Sequence, residues 1–154
     1  MARLDTSYLG LRLRNPVVTS ASPLSRDLER ILALEQAGAG AVVLPSLFQE
    51  EVEAADGVPD SAQRAARAMA DALAPAPGRR GDGRTPEDYV ELVRRAKERA
   101  GIPIIASMNG ARHGGWLEYA RRLQDAGADA LELSIYYIPA SAMLWQLWSR
   151  LFIG

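Results

Sequence analysis

The sequence predicts an α/β fold built on parallel strands, and three observations predict it. Ala41-Val42-Val43-Leu44 is apolar without alternation, the pattern of a strand covered on both faces. The run EQAGAGAVVL, which starts at Glu35, is echoed by LQDAGADALEL, which starts at Leu123. Each is a helix end, a glycine stop and a buried strand, so one αβ joint is used twice. Helical and strand-like segments alternate along the chain, as βα units with right-handed crossovers require.

The elements follow in order. Thr6 to Leu13 alternates around Gly10 and reads as a short hairpin ahead of the main fold. Asn15-Pro16 breaks it. Residues 17–21, VVTSA, form the first main strand. Ser25 is placed as the N-cap of the next helix, with Asp27 and Glu29 in its first turn, where the helix dipole favours negative charge. Leu28, Ile31 and Leu32 form its buried stripe, and Gly38 stops it. The second strand covers residues 41–44.

The connection from Pro45 to Arg84 is long for a βα loop. Its alanine-rich middle, residues 60–73, predicts a helix, and residues 74–83 read as a flexible linker. Thr85-Pro86-Glu87-Asp88 then supplies an N-cap hydroxyl, a proline at the first helical position and a carboxylate three residues after the cap. Tyr89, Leu92, Val93 and Ala96 make the buried stripe of that helix, ended by Gly101. Residues 102–107 are the third strand. Trp116, Ala120 and Leu123 mark a further helix, stopped at Gly127, and residues 130–135 are the fourth strand. Four strands do not close a barrel, which needs eight and typically about 250 residues. A chain of 154 residues also allows an open four-stranded sheet, closed by a helix after Ile135.

Composition narrows the function. The chain is 48% hydrophobic and 24% charged with a net charge of −1, which is ordinary globular composition. It has no basic excess for nucleic acid, no run of about 20 apolar residues to span a membrane, and no apolar leader. A cytoplasmic protein is expected. The absence of cysteine excludes disulfides, thiolate metal sites and a cysteine nucleophile. No ligand spacing suggests a metal, and neither common nucleotide-binding glycine loop occurs. Lys97, the only lysine, sits mid-helix and reads as surface, which leaves a Schiff-base mechanism without its residue. His113 follows the third strand and reads either as a general acid or base or as a solvated loop residue. Glu132 lies inside the fourth strand, either paired with an arginine or facing a helix layer, and reads as structural.

In α/β folds chemistry sits at the C-terminal ends of the strands. Those ends are Ser20-Ala21-Ser22-Pro23, Leu44-Pro45-Ser46, Ser107-Met108-Asn109-Gly110 and Ser134-Ile135-Tyr136-Tyr137. All are small or polar. Small side chains let a flat ligand approach the backbone, and hydroxyls and amides can bond a heterocycle's edge. Ordinary strand-end capping would use the same residues.

Together with Leu4-Asp5-Thr6-Ser7-Tyr8-Leu9-Gly10-Leu11, Asn15-Pro16-Val17-Val18, Ala41-Val42-Val43-Leu44-Pro45-Ser46-Leu47-Phe48 and Leu131-Glu132-Leu133-Ser134-Ile135-Tyr136-Tyr137-Ile138-Pro139, these segments resemble class 1 dihydroorotate dehydrogenases and dihydroorotate dehydrogenase-like proteins. The resemblance runs from about residue 4 to about residue 140. It implies the N-terminal half of a (β/α)8 TIM barrel, with FMN over the C-terminal mouth. It implies a small-molecule substrate, hydride transfer from a CH–CH bond to the flavin, and a place in pyrimidine biosynthesis. Cofactor-binding positions implied by the resemblance are Ser20, Ala21, Ser22, Ser46, Asn109 and Ser134, and the position of the family's catalytic base falls near Tyr137. Three departures stand out. Pro45 replaces the family's lysine, Ser134 replaces its asparagine, and a tyrosine stands near its cysteine base. A tyrosine with its ordinary pKa of about 10 needs activation to act as a base near neutrality. A related flavin reaction on another substrate is therefore the expectation.

The resemblance ends near Ala142. Residues 1–141 are expected to form the half-barrel, and residues 142–154 a non-family hydrophobic tail. Leu144, Leu147, Trp148 and Leu151 in that tail fit helical spacing. The family's flavin-phosphate loops come later in its barrel, so this chain alone is expected to be inactive. The alternative is a non-catalytic half-barrel that self-associates, or binds a partner, through its open edges and the Trp145/Trp148 tail.

Overall fold

The computed structural model describes residues 4–48, 85–110 and 116–135. The predicted helix at 60–73, the linker, His113, Tyr137 and the 142–154 tail lie outside the described residues. β1 (Thr6–Tyr8) and β2 (Leu11–Leu13) form the antiparallel hairpin. Its turn puts Leu9 at φ 52° and Gly10 at φ 77°, the left-handed pair that matches hairpin twist. Four parallel strands follow in the order β3 (Val18–Thr19), β4 (Ala41–Phe48), β5 (Ile104–Gly110) and β6 (Ala130–Ile135). The helices α1 (Leu28–Gln36), α2 (Pro86–Arg99) and α3 (Trp116–Asp125) lie in the connections between them. Sequential parallel strands with helical crossovers are the α/β architecture expected of half a (β/α)8 barrel.

The sheet has two different faces. On one, Val42, Leu44, Leu47, Ile104, Ala106 and Met108 pack against Ile31, Tyr89, Val93, Ala96, Tyr119 and Leu123 from the helices. On the other, Ala41, Val43 and Ile105 pack against Leu13 of the hairpin, with Val18, Ala21 and Ala130 beside them. Leu13 meets Ala41, Val43 and Ile105, so the hairpin covers the N-terminal part of this inner face.

The repeated αβ joint is real in three dimensions. Gly38 (φ 105°) and Gly127 (φ 96°) both terminate helices in the left-handed conformation. In the first, Gly38 and Ala39 donate to Glu35 and Leu34; in the second, Gly127 and Ala128 donate to Gln124 and Leu123. These paired bonds satisfy the last helical carbonyls by the same geometry. Gly101 works differently. The α2 helix ends on Ala100 in extended conformation, and Gly101 donates to the Glu35 carboxylate at 3.0 Å.

Several boundaries differ from the sequence reading. Asp27, not Ser25, caps α1, accepting from Arg30 at 2.9 Å. Ser25 is fully buried in a 3-10 turn, where it donates to the Val43 carbonyl at 2.8 Å. Lys97 is not a free surface cation. It bridges Asp129 at 2.7 Å, and Asp129 also accepts from the Ile104 amide at 2.7 Å. The second strand does not stop at Pro45 but runs to Phe48, because the sheet absorbs the proline in a bulge. Thr85 and Asp88 do form the predicted capping box.

Candidate functional site

The bulge builds the site. In β4, Val43 pairs with Ile105 and Ser46 pairs with Ser107, so Leu44 and Pro45 together oppose Ala106. One extra residue shifts the alternation of the strand. Leu44 and Leu47 therefore both face the helices, and Ser46 lands in the same row as Ser107 and Glu132.

That row is a continuous hydrogen-bond chain across three strands. Ser46 Oγ lies 2.8 Å from Ser107 Oγ. Ser107 Oγ donates to Glu132 Oε1, also at 2.8 Å. The next row toward the C-terminal mouth holds Phe48, Asn109 and Ser134 in register. Asn109 is 7% exposed, yet among the described residues its Oδ1 has no hydrogen-bond partner. The buried Thr19 Oγ1 on β3 is likewise unpartnered.

Ser107 is held from behind. The Tyr89 hydroxyl on α2 accepts from the Ser107 amide at 3.0 Å and donates to the Ser107 carbonyl at 3.3 Å. These contacts lie where the β4–β5 register shifts, opposite Leu44 and Pro45. Burial pushes the Tyr89 hydroxyl well above the ordinary tyrosine range. The nearby Glu132 charge adds to the shift, and the Ser107 backbone hydrogen bond opposes it.

Below these rows, the inner face and the hairpin line a half-open pocket of about 570 Å³. Tyr8, Leu13, Val18, Val43 and Ile105 line it, and Ser20 and Glu132 stand on its wall. A closed barrel fills such space with layers of side chains from all its strands.

The predicted positions fall out as follows. Ser46, Asn109 and Ser134 share the inner, C-terminal rows. Ser20 is exposed just after β3, and Ala21 is half-buried against the inner core. Ser22 uses its hydroxyl locally, accepting from Leu24 as the cap of the 3-10 turn. Tyr137 lies outside the described residues. Glu132 pairs with Ser107 rather than with an arginine, and on the inner face rather than under a helix. Sequence reasoning missed Tyr89 as a support of the site and missed Ser107 and Glu132 as its centre. The signal was present: Ile105/Ser107/Asn109 and Ala130/Glu132/Ser134 both alternate with period two, apolar to polar toward the mouth. Among the described residues no cluster of side chains suited to a metal occurs, and no helix is long and apolar enough to cross a membrane.

Comparison with known proteins decides the family. The chain is 31% identical over 135 residues to the catalytic subunit of dihydroorotate dehydrogenase B (NAD(+)) of Thermoplasma acidophilum, covering 88% of this chain and 42% of that subunit. It is 30% identical over 132 residues to a putative dihydroorotate dehydrogenase A (fumarate) of Aeropyrum pernix, covering 86% of this chain and 40% of that protein. The chain is dihydroorotate dehydrogenase-like. It spans about two fifths of the length of these dihydroorotate dehydrogenases. No family model matches it.

Proposed function

We propose that this chain carries the first half of the flavin site of a dihydroorotate dehydrogenase-like, FMN-dependent oxidoreductase acting on a small molecule of pyrimidine metabolism or a close analogue. The observation that carries this reading is the unpartnered, buried Asn109 Oδ1 beside the Ser46–Ser107–Glu132 chain, at the C-terminal end of a parallel sheet. Polar atoms buried without partners are rare, and Asn109 sits near the C-terminal end of β5, the end of the sheet where α/β enzymes bind ligands. FMN, when bound, would accept a hydride from a CH–CH donor. Ser46, Asn109 and Ser134 would bond its edge, and Ser20, Ala21 and Ser22 would leave room for its plane. Tyr137 is proposed at the position of the base, and its proton would have to be drawn off by a neighbour for it to act near pH 7.

The test is a visible absorption spectrum of the purified chain, taken after FMN addition and gel filtration. Co-eluting flavin absorbance supports the reading. A colourless protein that takes up no FMN at high micromolar concentration refutes it for this chain.

One observation favours a second reading. Leu131 and Leu133 are 37% and 49% exposed on β6, the last strand of the described sheet. Large apolar side chains on a strand that has no outer neighbour among the described residues suit self-association. Sedimentation velocity that returns a monomer at all concentrations would exclude it.

A further inference from the structure

The hydrogen-bond chain on the inner face has a fixed direction. A carboxylate only accepts, so Glu132 takes its bond from Ser107. A serine hydroxyl has one proton, and that of Ser107 is committed to Glu132. The 2.8 Å contact between Ser46 and Ser107 is therefore Ser46 donating to Ser107. Ser46 is left with lone pairs alone to present to anything bound. On the neighbouring strand, two residues beyond Ser107, Asn109 Oδ1 is a second acceptor, buried and unpartnered.

We propose that Glu132 is a positioning residue: acting through Ser107, it turns the Ser46 proton into the sheet, so that Ser46 Oγ and Asn109 Oδ1 select a ligand edge bearing N–H groups. Polarity, rather than shape alone, then discriminates. A site built to bond an N–H strongly rejects the analogue that lacks it, because its own buried acceptor is left without a partner. The choice of probe rests on the flavin reading above, since the pyrimidine edge of FMN carries one imide N–H between two carbonyls.

The experiment compares FMN with its N3-methyl derivative, titrated by flavin fluorescence against the full chain and against Glu132→Ala and Ser46→Ala. The expected result is binding of FMN roughly tenfold tighter than the N-methyl analogue. In Glu132→Ala the Ser107 proton is freed to point at Ser46, Ser46 can donate outward, and the preference should shrink to about twofold. Ser46→Ala should lose the preference as well. An unchanged preference in Glu132→Ala overturns the inference while the flavin reading stands.

If FMN binds none of the three proteins, the flavin reading fails and a second measurement decides the inference. Carbon NMR in half-deuterated water resolves hydroxyl protons that exchange slowly, as paired lines at the serine Cβ. Paired lines at Ser46 and Ser107, lost in Glu132→Ala, support a directed chain. Single averaged lines in the unaltered protein overturn it.

Discussion

Removing one oxygen from Tyr89 should cost more than its size suggests. The ring of Tyr89 is 4% exposed and packed in the core between α2 and the sheet. Tyr89→Phe keeps that packing and deletes only the hydroxyl. The hydroxyl takes the Ser107 amide proton at 3.0 Å and gives its own to the Ser107 carbonyl at 3.3 Å. Ser107 is fully buried, so water cannot replace either bond without opening the sheet. A buried backbone donor left without a partner costs about 1–3 kcal/mol. The second bond is longer and adds less, so the expected loss is about 2 kcal/mol. At roughly 2–4 °C per kcal/mol for a chain of this size, Tm should fall by about 4–8 °C. Urea denaturation followed by circular dichroism measures the change directly. Tyr8→Phe is the control, since Tyr8 is 51% exposed on the hairpin. A Tyr89→Phe protein within about 0.5 kcal/mol of the unaltered chain would show that the phenol is not the partner Ser107 depends on.

Three further outcomes are expected. Because the Tyr89 pKa is raised in the fold, the folded state keeps a proton that the unfolded chain releases near its ordinary value of about 10. Stability should be undiminished by this group below that pH and fall as pH rises above it, with a shallower fall in Tyr89→Phe under the same denaturant series. Asp129 holds both Lys97 and the buried Ile104 amide. Asp129→Asn keeps an acceptor for the amide and should cost under about 1 kcal/mol, whereas Asp129→Ala should cost about 2 kcal/mol by the same denaturation assay. Leu9 is 58% exposed and adopts φ 52°, so Leu9→Asn should stabilise by roughly 0.5–1 kcal/mol, raising the urea midpoint without changing its slope.

Much of this fold can be read in the sequence, for local reasons. The capping box at Thr85–Asp88 and the glycine stops at Gly38 and Gly127 are set by a few adjacent residues. The apolar strands stand out because both faces of the sheet are covered along β4. The site was half legible. Ser46, Asn109 and Ser134 could be placed at strand ends, since strand-end position follows from strand order. Their grouping into rows could not, because register depends on a bulge, and Pro45 reads locally as the end of a strand. Tyr89 has the same difficulty. Its helical spacing marks it as core, and nothing along the chain says that its hydroxyl reaches a strand eighteen residues further on. Glu132 looked structural because its partner, Ser107, comes from another strand.

The bulge and the phenol should prove to be one device, and deleting Pro45 tests this. Without Pro45, Leu44 still faces the helices, the serine follows it on the inner face, and the leucine after that returns to the helix side. The strand becomes regular with its faces unchanged. With the extra residue gone, Leu44 offers its carbonyl and Leu47 its N–H to β5, and the Ser107 backbone can pair with β4 directly. Tyr89 then loses its task. In a double-mutant cycle, Tyr89→Phe should cost about 2 kcal/mol in the native background and under about 0.5 kcal/mol once Pro45 is deleted, a coupling of roughly 1.5 kcal/mol. Equal costs in the two backgrounds would mean that the hydroxyl stabilises Ser107 independently of the bulge. The extra residue in β4 would then have some purpose other than admitting the phenol. The coupling bears on function as well as stability. The irregularity beside Tyr89 is also the one that sets Ser46 opposite Ser107, three residues past Val43 on β4 against two past Ile105 on β5.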